Sequence, residues 1–412
     1  MKLLVSAVPG VRMSDDPSEP YGEHRQCNVY ASGMLADDPP EHPVRYEELE
    51  RRAMAAMSNE AAAYVAGGAG TEDTITENRH AFADWRIVPR MLRDVAERDL
   101  QVDLFGTELD LPVLLAPLGT LSIIHEAGEL AVARAAADHD VPMVLSSASS
   151  YTMEDVAEEL GETPKWFQLY WSADPDIASS FVERAENAGY DAIVVTLDTP
   201  LLGWRERDIE QGYLPFLDGE GVANYFSDPA FRERLDVPPE ENEGTALMEF
   251  IDIFGDPSLT WDDLASLRTE TDLPLLVKGV LHPDDAERAV ECGADGVIVS
   301  NHGGRQVDGA IGALTALPGV VDAVGDVPVL FDSGIRSGAD AVKAIALGAD
   351  AVLLGRPYAY GLALDGEAGV GTVLENFRAD LDLTLALTGH TSFDDLDRTM
   401  LLDRRPSGVD GP

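Results

Sequence analysis

The chain has 412 residues, 45% of them hydrophobic, which is enough for two or three domains or for one large barrel. Its 29 basic and 75 acidic residues give a formal net charge of −46, which argues against nucleic acid as a partner because a phosphate backbone needs a basic surface. No apolar run approaches the roughly 20 residues of a membrane span, so no membrane segment is expected.

The first part of the chain is predicted to be an arm. Residues 1–45 are rich in Pro, Asp and Glu and show little periodicity. Their opening apolar stretch is too short for a signal peptide, so a cytoplasmic protein is expected, with Met13 as an alternative start to Met1. Apolar residues at helical spacing from Tyr46 to Tyr64 predict one or two helices, which extend the main domain at its N-terminal side.

A repeating pattern dominates the main domain, which is predicted to span residues 46–395. Short apolar, β-branched runs alternate with helical stretches of about 12 to 18 residues. The eight predicted strands lie at 112–117, 142–147, 166–171, 192–198, 274–279, 296–301, 328–333 and 351–356. Continuous apolar runs indicate parallel strands covered on both faces. Eight strand–helix units therefore favour an α/β TIM (β/α)8 barrel, with a doubly wound sheet as the alternative. Residues 396–412 are predicted to be a tail.

One connection departs from this pattern. A long loop of about 75 residues separates Asp198, at the end of strand 4, from Pro274, where strand 5 begins. A connection of this length is usually a functional lid or a partly disordered insertion. Because it follows a strand end, we expect it to cover the mouth of the barrel.

The charged residues are distributed in a way that predicts the environment of the protein. The acidic residues are spread along the chain, and only four of the basic residues are lysines. A dispersed acidic surface suits a halophilic protein, because concentrated salt screens its self-repulsion; an ordinary acidic protein is the alternative. Cys27 and Cys292 are too few for a disulfide framework, and no spacing indicates a metal site.

Chemically active residues collect at the predicted strand ends, where a barrel places its active site. In chain order, these ends supply Ala116, Pro117 and Gly119; Ser146; Gln168 and Tyr170; Thr196, Asp198 and, shortly after, Arg205; Lys278; Ser300, His302 and Arg305; Asp332, Gly334 and Arg336; and Gly355 and Arg356.

Two groups of residues in this set indicate which cofactor the site binds. A buried ammonium at Lys278 needs an anion beside it, although a lone lysine can also reach solvent. The glycines of DSGIRSG and LLGRP fit the phosphate site of such barrels, with Arg356 as a further donor, although each alone can be an ordinary turn. One phosphate site without a GxGxxG turn points to a mononucleotide cofactor.

The remaining residues indicate an acid substrate and a base. Two arginines in one pocket, Arg205 and Arg305, call for a ligand carboxylate. His302 lies three residues before Arg305 and can accept a proton near neutral pH, and Asp198 is its natural partner. A structural hydrogen bond is the alternative interpretation of a lone histidine.

The segment SNHGGRQ resembles the active-site signature of the FMN-dependent 2-hydroxy acid oxidases and dehydrogenases, over a match from about residue 46 to residue 389. Within that family, WFQLYW, GWRERDI, ANYFSDPAF and YAYGLAL look most like the lactate 2-monooxygenase branch. The resemblance implies FMN as cofactor, an L-2-hydroxy acid such as L-lactate and O2 as substrates, and a homotetramer.

The resemblance also implies a role for each matching residue. His302 is the base at the substrate α-carbon or hydroxyl, Asp198 pairs with it, and Tyr170 bonds the hydroxyl region. Arg205, Arg305 and Tyr64 bind the carboxylate. The implied FMN ligands are Ala116, Pro117, Gly119, Ser146, Gln168, Thr196 and Lys278 around the ring, and Ser300, Asp332, Gly334, Arg336, Gly355 and Arg356 along the ribityl and phosphate parts.

Two departures leave the outcome of the reaction open. Gly119 stands where oxidases of the family commonly have alanine, and Ala148 stands where plant glycolate oxidases have tryptophan. The smaller residue at Gly119 implies room for oxygen or retained product near the flavin. The smaller residue at Ala148 implies a larger or differently shaped substrate and disfavours glycolate. The alternatives are an oxidase that releases the 2-oxo acid and H2O2, and a dehydrogenase that reduces a quinone or cytochrome. Barrels of another class, such as nucleotide dehydrogenases or isoprenoid isomerases, share the phosphate loops.

Overall fold

The structure, a computed structural model, describes residues 20–404. Eight parallel strands close into a barrel in chain order. They are β1 (Val113–Leu115), β2 (Met143–Ser146), β3 (Lys165–Tyr170), β4 (Ala192–Thr196), β5 (Leu275–Val280), β6 (Gly296–Val299), β7 (Val329–Phe331) and β8 (Ala351–Leu354). Val352 of β8 pairs with Val113 of β1 and closes the circle. The predicted TIM barrel is therefore confirmed, and the doubly wound alternative is wrong.

Helices surround the barrel and extend it. They are α1 (Tyr21–Leu35), α2 (Tyr46–Ala56), α3 (Asn59–Ala66), α4 (Asp73–Asp84), α5 (Gly128–Asp138), α6 (Met153–Leu160), α7 (Pro175–Asn187), α8 (Glu206–Gln211), α9 (Ala223–Ser227), α10 (Pro229–Glu233), α11 (Glu243–Ile253), α12 (Trp261–Leu267), α13 (Pro283–Glu291), α14 (Ala313–Val324), α15 (Gly338–Ala346) and α16 (Arg356–Thr388). No helix in this part of the chain is both long and apolar enough for a bilayer span.

Several helices between strands are shorter than the sequence pattern predicts, although α7 with 13 residues and α14 with 12 lie within the predicted range. Helix α6 has only 8 residues, because the Thr152 side chain accepts a hydrogen bond from the Asp155 amide at its start and Gly161, with a φ of +55°, ends it.

The N- and C-terminal segments pack against the barrel. The amide of Gly22 in α1 donates to the Asp382 carboxylate of α16 at 2.7 Å. The strand at 85–87 pairs with the strand at 401–403. The hairpin at 102–109 contributes Leu104 and Leu109 to the barrel interior, beside Trp166 near the start of β3. We propose that the chain divides into an arm at residues 1–45, a barrel domain at residues 46–395 and a tail at residues 396–412.

The insertion between β4 and β5 is helical and packed. It contains α8 to α12, and its Tyr225, Phe231 and Phe250 side chains are fully buried. Asn224 anchors it to the loop after β2: its side-chain oxygen accepts from the Met153 amide at 2.8 Å, and its side-chain nitrogen donates to the Ser147 carbonyl. The insertion therefore forms a fixed part of the wall at the mouth of the barrel.

Candidate active site

The two-residue period of the strands explains why polar side chains meet at one end of the barrel. One core cluster contains the inward-facing residues of the strands, among them Val144, Leu276 and Ile298. Two residues further along, on the same face, these strands carry Ser146, Lys278 and Ser300. The apolar layer therefore changes to a polar layer at the carboxyl ends of the strands.

The cavity at these ends contains nearly the whole set of predicted site residues. All but four of them line it: Tyr64, Ala116, Pro117, Gly119, Ser146, Tyr170, Arg205, Lys278, His302, Arg305, Asp332, Gly334, Arg336, Gly355 and Arg356. The structure thus brings together residues from every barrel strand end and from α3 of the helical extension.

The other four predicted residues lie beside the cavity. Asp198 pairs with His302. Gln168 accepts a hydrogen bond from the Ser146 hydroxyl at 3.0 Å. Ser300 accepts one from Lys278, and Thr196 lines a neighbouring cavity between β4, β5 and the insertion.

The turn after β6 has a strained backbone that its sequence permits. His302 has a φ of +58°, and Gly303 and Gly304 follow with φ values of +64° and +78°. A non-glycine residue with positive φ costs roughly 1 kcal/mol or more and needs support from its surroundings. The Asn301 side chain supplies it, because it accepts from the Gly304 amide and exchanges two hydrogen bonds with Asn78 of α4.

His302 is oriented as a base. Its Nδ1 lies 2.8 Å from the Asp198 carboxylate, which leaves Nε2 on the cavity side, 3.4 Å from the Tyr170 hydroxyl. Burial lowers the pKa of His302 below its ordinary value, although Asp198 opposes the shift. Burial would raise the pKa of Asp198, but His302 and Lys278 outweigh it and keep the carboxyl ionised. Burial raises the pKa of Tyr170, which therefore stays protonated. The histidine is thus neutral near pH 7, and its Nε2 faces the cavity beside the Tyr170 hydroxyl.

The arginine pair forms an anion site. Arg305 donates to the carbonyls of Tyr64 and Gly67, and Arg205 donates to the carbonyl of Arg305 and to Gln306. Within residues 20–404 neither guanidinium forms an ion pair with a carboxylate. Burial and the charge of Arg205 lower the pKa of Arg305 to about 9. A ligand carboxylate is the group that would relieve this unbalanced positive charge.

Helix α3 contributes to this site through its carbonyls. Arg356 donates to the carbonyls of Val65, Gly67 and Gly303, so part of its guanidinium is engaged by backbone. The carbonyls at the end of a helix lack partners within it and carry the negative end of the dipole. The end of α3 therefore holds both Arg305 and Arg356 at the cavity.

Lys278 is a buried cation with two partners. Its Nζ lies 3.1 Å from the Asp332 carboxylate and 3.0 Å from the Ser300 hydroxyl. Burial alone would lower the pKa of Lys278, but the carboxylates of Asp332 and Asp198 outweigh it and raise the pKa. The ammonium is therefore a fixed positive charge in the cavity.

Buried polar atoms without a partner test whether the cavity suits FMN. The Gln168 side-chain nitrogen, the Thr196 hydroxyl and the Arg336 Nε are buried and make no hydrogen bond within the described chain. An amide donor, a hydroxyl and a guanidinium are what a ligand with ring carbonyls and a phosphate would satisfy. These residues fit the cofactor that the sequence predicts.

Sequence reasoning missed several residues of the site. Phe216 and Phe254 of the insertion line the cavity, and Thr199 donates to Asp198 at 2.9 Å. No periodic signal marks the two phenylalanines, because Phe216 lies in a four-residue 3-10 turn and Phe254 lies just after the last residue of α11. Thr199 is adjacent to Asp198 in sequence and could have been found from that position.

The fold and site together define a (β/α)8 oxidoreductase that uses a mononucleotide cofactor. Residues 53–403 match the model of the FMN-dependent dehydrogenases, and the chain belongs to this FMN-dependent family. It is 45% identical over 361 residues to an L-lactate oxidase of Lysinibacillus sphaericus, covering 87% of this chain and 92% of that protein. It is 42% identical to a 4-hydroxymandelate oxidase of Amycolatopsis orientalis, covering 84% and 94%. A crystal structure of mandelate oxidase with (S)-4-hydroxymandelic acid, 40% identical, superimposes with a TM-score of 0.77 over 85% of this chain and 97% of that one.

Proposed function

We propose that the protein uses FMN to oxidise an L-2-hydroxy acid, with L-lactate as the first candidate, and passes the electrons to O2. The observation that carries this proposal is that the Nε2 of His302 and the guanidinium groups of Arg205 and Arg305 face one cavity. The names of the relatives, oxidases of lactate and hydroxymandelate, agree with this substrate class.

The residue roles follow from this geometry. Arg205 and Arg305 hold the substrate carboxylate, which orients the neighbouring carbinol carbon toward His302. Nε2 of His302 accepts a proton from that carbon or its hydroxyl, and Asp198 stabilises the resulting imidazolium. Tyr170 stays neutral and can donate to the substrate oxygen. FMN, when bound, supplies the acceptor for the two electrons that leave the substrate.

Lys278 supports the same reaction through its charge. It is fully enclosed and remains protonated beside Asp332. We assign it to stabilising the negative charge that two-electron reduction adds to the cavity, because a fixed cation needs no reorganisation at the moment of reaction.

For the outcome with O2, we propose the lactate 2-monooxygenase type, in which lactate and O2 give acetate, CO2 and water. This outcome requires pyruvate and peroxide to remain together until they react. The packed insertion supports such retention, because its Phe216 and Phe254 form part of the cavity wall and Asn224 fixes it to the loop after β2.

An oxidase that releases pyruvate and H2O2 is the second candidate. It is favoured by the 45% identity to an L-lactate oxidase. A dehydrogenase that reduces a quinone or cytochrome is a further alternative, and comparison of O2 uptake with dye reduction separates it from both.

Product analysis distinguishes the first two outcomes. The purified FMN-loaded enzyme is incubated with L-lactate in air, with and without catalase, and acetate, pyruvate and H2O2 are quantified. Catalase is needed because free pyruvate and H2O2 also react in solution to give acetate, CO2 and water. Acetate that persists with catalase supports the monooxygenase, whereas accumulation of pyruvate rejects it.

Gly119 supplies a test of retention within the chain. A Cβ at this position would lie 2.5 Å from the carbonyl oxygen of Ala148. The glycine therefore permits close contact between the loops after β1 and β2, rather than leaving a void as the sequence suggested. We predict that Gly119→Ala separates these loops and shifts the products from acetate toward pyruvate and H2O2. An unchanged product ratio, measured with catalase present, would contradict this role.

Assembly and location are also proposed. On the family resemblance, we propose a cytoplasmic homotetramer. Light scattering of the purified protein measures the number of subunits, and a monomer at every concentration would contradict the tetramer.

A further inference from the structure

Arg336 reaches the cavity from the loop after β7. Its backbone amide donates to the Asp340 carboxylate in the first turn of α15 at 3.0 Å, which fixes the start of the side chain. At the far end, Nη1 donates to the Ile335 carbonyl at 2.8 Å, while Nε is buried and has no partner among residues 20–404. Burial lowers the pKa of Arg336. This guanidinium is therefore suited to binding an anion that the described part of the chain does not supply.

An aromatic ring from outside the barrel lies against this guanidinium. The Cζ of Arg336 is 4.5 Å from the ring centroid of Tyr46, the first residue of α2. The Tyr46 hydroxyl donates to Glu50 one turn later at 3.4 Å, and the Tyr360 hydroxyl of α16 donates to the same oxygen at 2.9 Å. Burial raises the pKa of both tyrosines, so both remain donors. The ring is thereby held between α2 and α16.

We propose that Tyr46 is a positioning residue for the cofactor phosphate and acts through Arg336. A ring stacked on one face of a guanidinium restricts its rotamers and leaves its N–H edge available for a phosphate. The helical extension before the barrel therefore takes part in cofactor selection. This inference rests on the FMN dependence of the family and is independent of which 2-hydroxy acid is oxidised.

Comparison of two flavins tests the inference. Apoprotein is titrated with FMN and with riboflavin, which lacks the phosphate, and binding is followed by flavin fluorescence. Tyr46→Leu is expected to weaken FMN binding roughly 3- to 30-fold, the range of a cation–π contact, and to leave riboflavin binding unchanged. Tyr46→Phe keeps the ring and is expected to bind FMN nearly as the wild type does.

Two controls separate positioning from general loosening. Leu49→Ala removes a buried side chain from the cluster that contains Tyr46 and Tyr360, and is expected to lower the thermal midpoint while affecting both flavins equally. In an Arg336→Ala background, Tyr46→Leu is expected to cause no further loss of FMN affinity.

Two other outcomes would overturn either this inference or the proposed function. Equal weakening of FMN and riboflavin by Tyr46→Leu, or no weakening at all, overturns the inference. A wild-type apoprotein that binds no FMN overturns the proposed function instead.

Discussion

His302 is a base whose pKa is set by opposing influences. Burial lowers the pKa, and the nearby charges of Lys278 and Arg205 lower it further, while Asp198 raises it. A base with a depressed pKa is active above that pKa and inactive below it. The rate constant kcat/KM is therefore expected to rise with pH along a limb below pH 6.5 and to be flat near neutrality.

We predict that Asp198→Asn lowers kcat/KM by roughly 10²- to 10⁴-fold, because the imidazolium formed in the reaction loses its counter-charge. The same change removes the carboxylate of Asp198, which raises the pKa of His302, so the rising limb should move to lower pH. Initial rates of O2 uptake against pH measure both effects. FMN absorbance serves as the control for a folded, loaded site; a reduced rate with an unmoved limb would indicate a purely structural role for Asp198.

For single residues, the sequence predicts which side chains belong to the site but not all of the groups that they contact. His302, Asp198 and Lys278 could be found because strand ends of a barrel converge. The contact between Tyr46 and Arg336 could not be predicted, because the two residues are 290 positions apart and no local pattern connects them. Likewise, three of the N–H groups of Arg356 are taken by carbonyls near α3 and in the turn after β6, a geometry that only the folded chain shows.

At the level of elements, strands were easier to predict than the insertion. A fully buried strand such as β4 shows a continuous apolar run, and its register follows from barrel closure. Helices α9 and α10 have only 5 residues each, which is too short for a helical period. Their positions depend on contacts such as Asn224 with Met153, 71 residues apart.

Glu129 of α5 joins two loops of the site. One carboxylate oxygen accepts from the amides of Leu121 and Ser150, in the loops after β1 and β2, and the other is buried without a partner in the described chain. Burial raises its pKa from 4.5 to about 7, and the nearby charge of Glu220 adds to the shift. The neutral phenols of Tyr151 and Tyr358 also face this carboxyl.

We predict that Glu129→Gln becomes progressively more stable than the wild type as pH rises from about 5 to 7.5. A carboxyl with a raised folded-state pKa favours folding fully below its unfolded pKa of 4.5, and that contribution is lost as pH rises to about 7. The shift corresponds to at most about 3 kcal/mol. Thermal midpoints of the FMN-loaded proteins across this range measure the difference; a constant difference would show that Glu129 does not titrate there.

The whole molecule has an excess of acids that no internal pairing can balance. With 29 basic and 75 acidic residues, a net charge of −46 remains even if every lysine and arginine is paired with an acid. Exposed ion pairs such as Arg232 with Glu240 contribute little individually, typically below about 1 kcal/mol. Repulsion among the unpaired carboxylates is therefore expected to dominate the response to salt.

We predict that the thermal midpoint rises by several degrees when KCl is increased from about 0.1 M to about 2 M. The screening length falls from about 10 Å to about 3 Å or less over this range, which removes repulsion between acids but weakens the fewer ion pairs only slightly. Lowering the pH to about 5 protonates part of the carboxylates and should reduce the effect of salt. Scanning calorimetry in KCl at both pH values, with sucrose as an uncharged control, measures the response. Equal stabilisation at both pH values would point to exclusion of solute from the protein surface, and a midpoint that falls with salt would reject the proposed halophilic character.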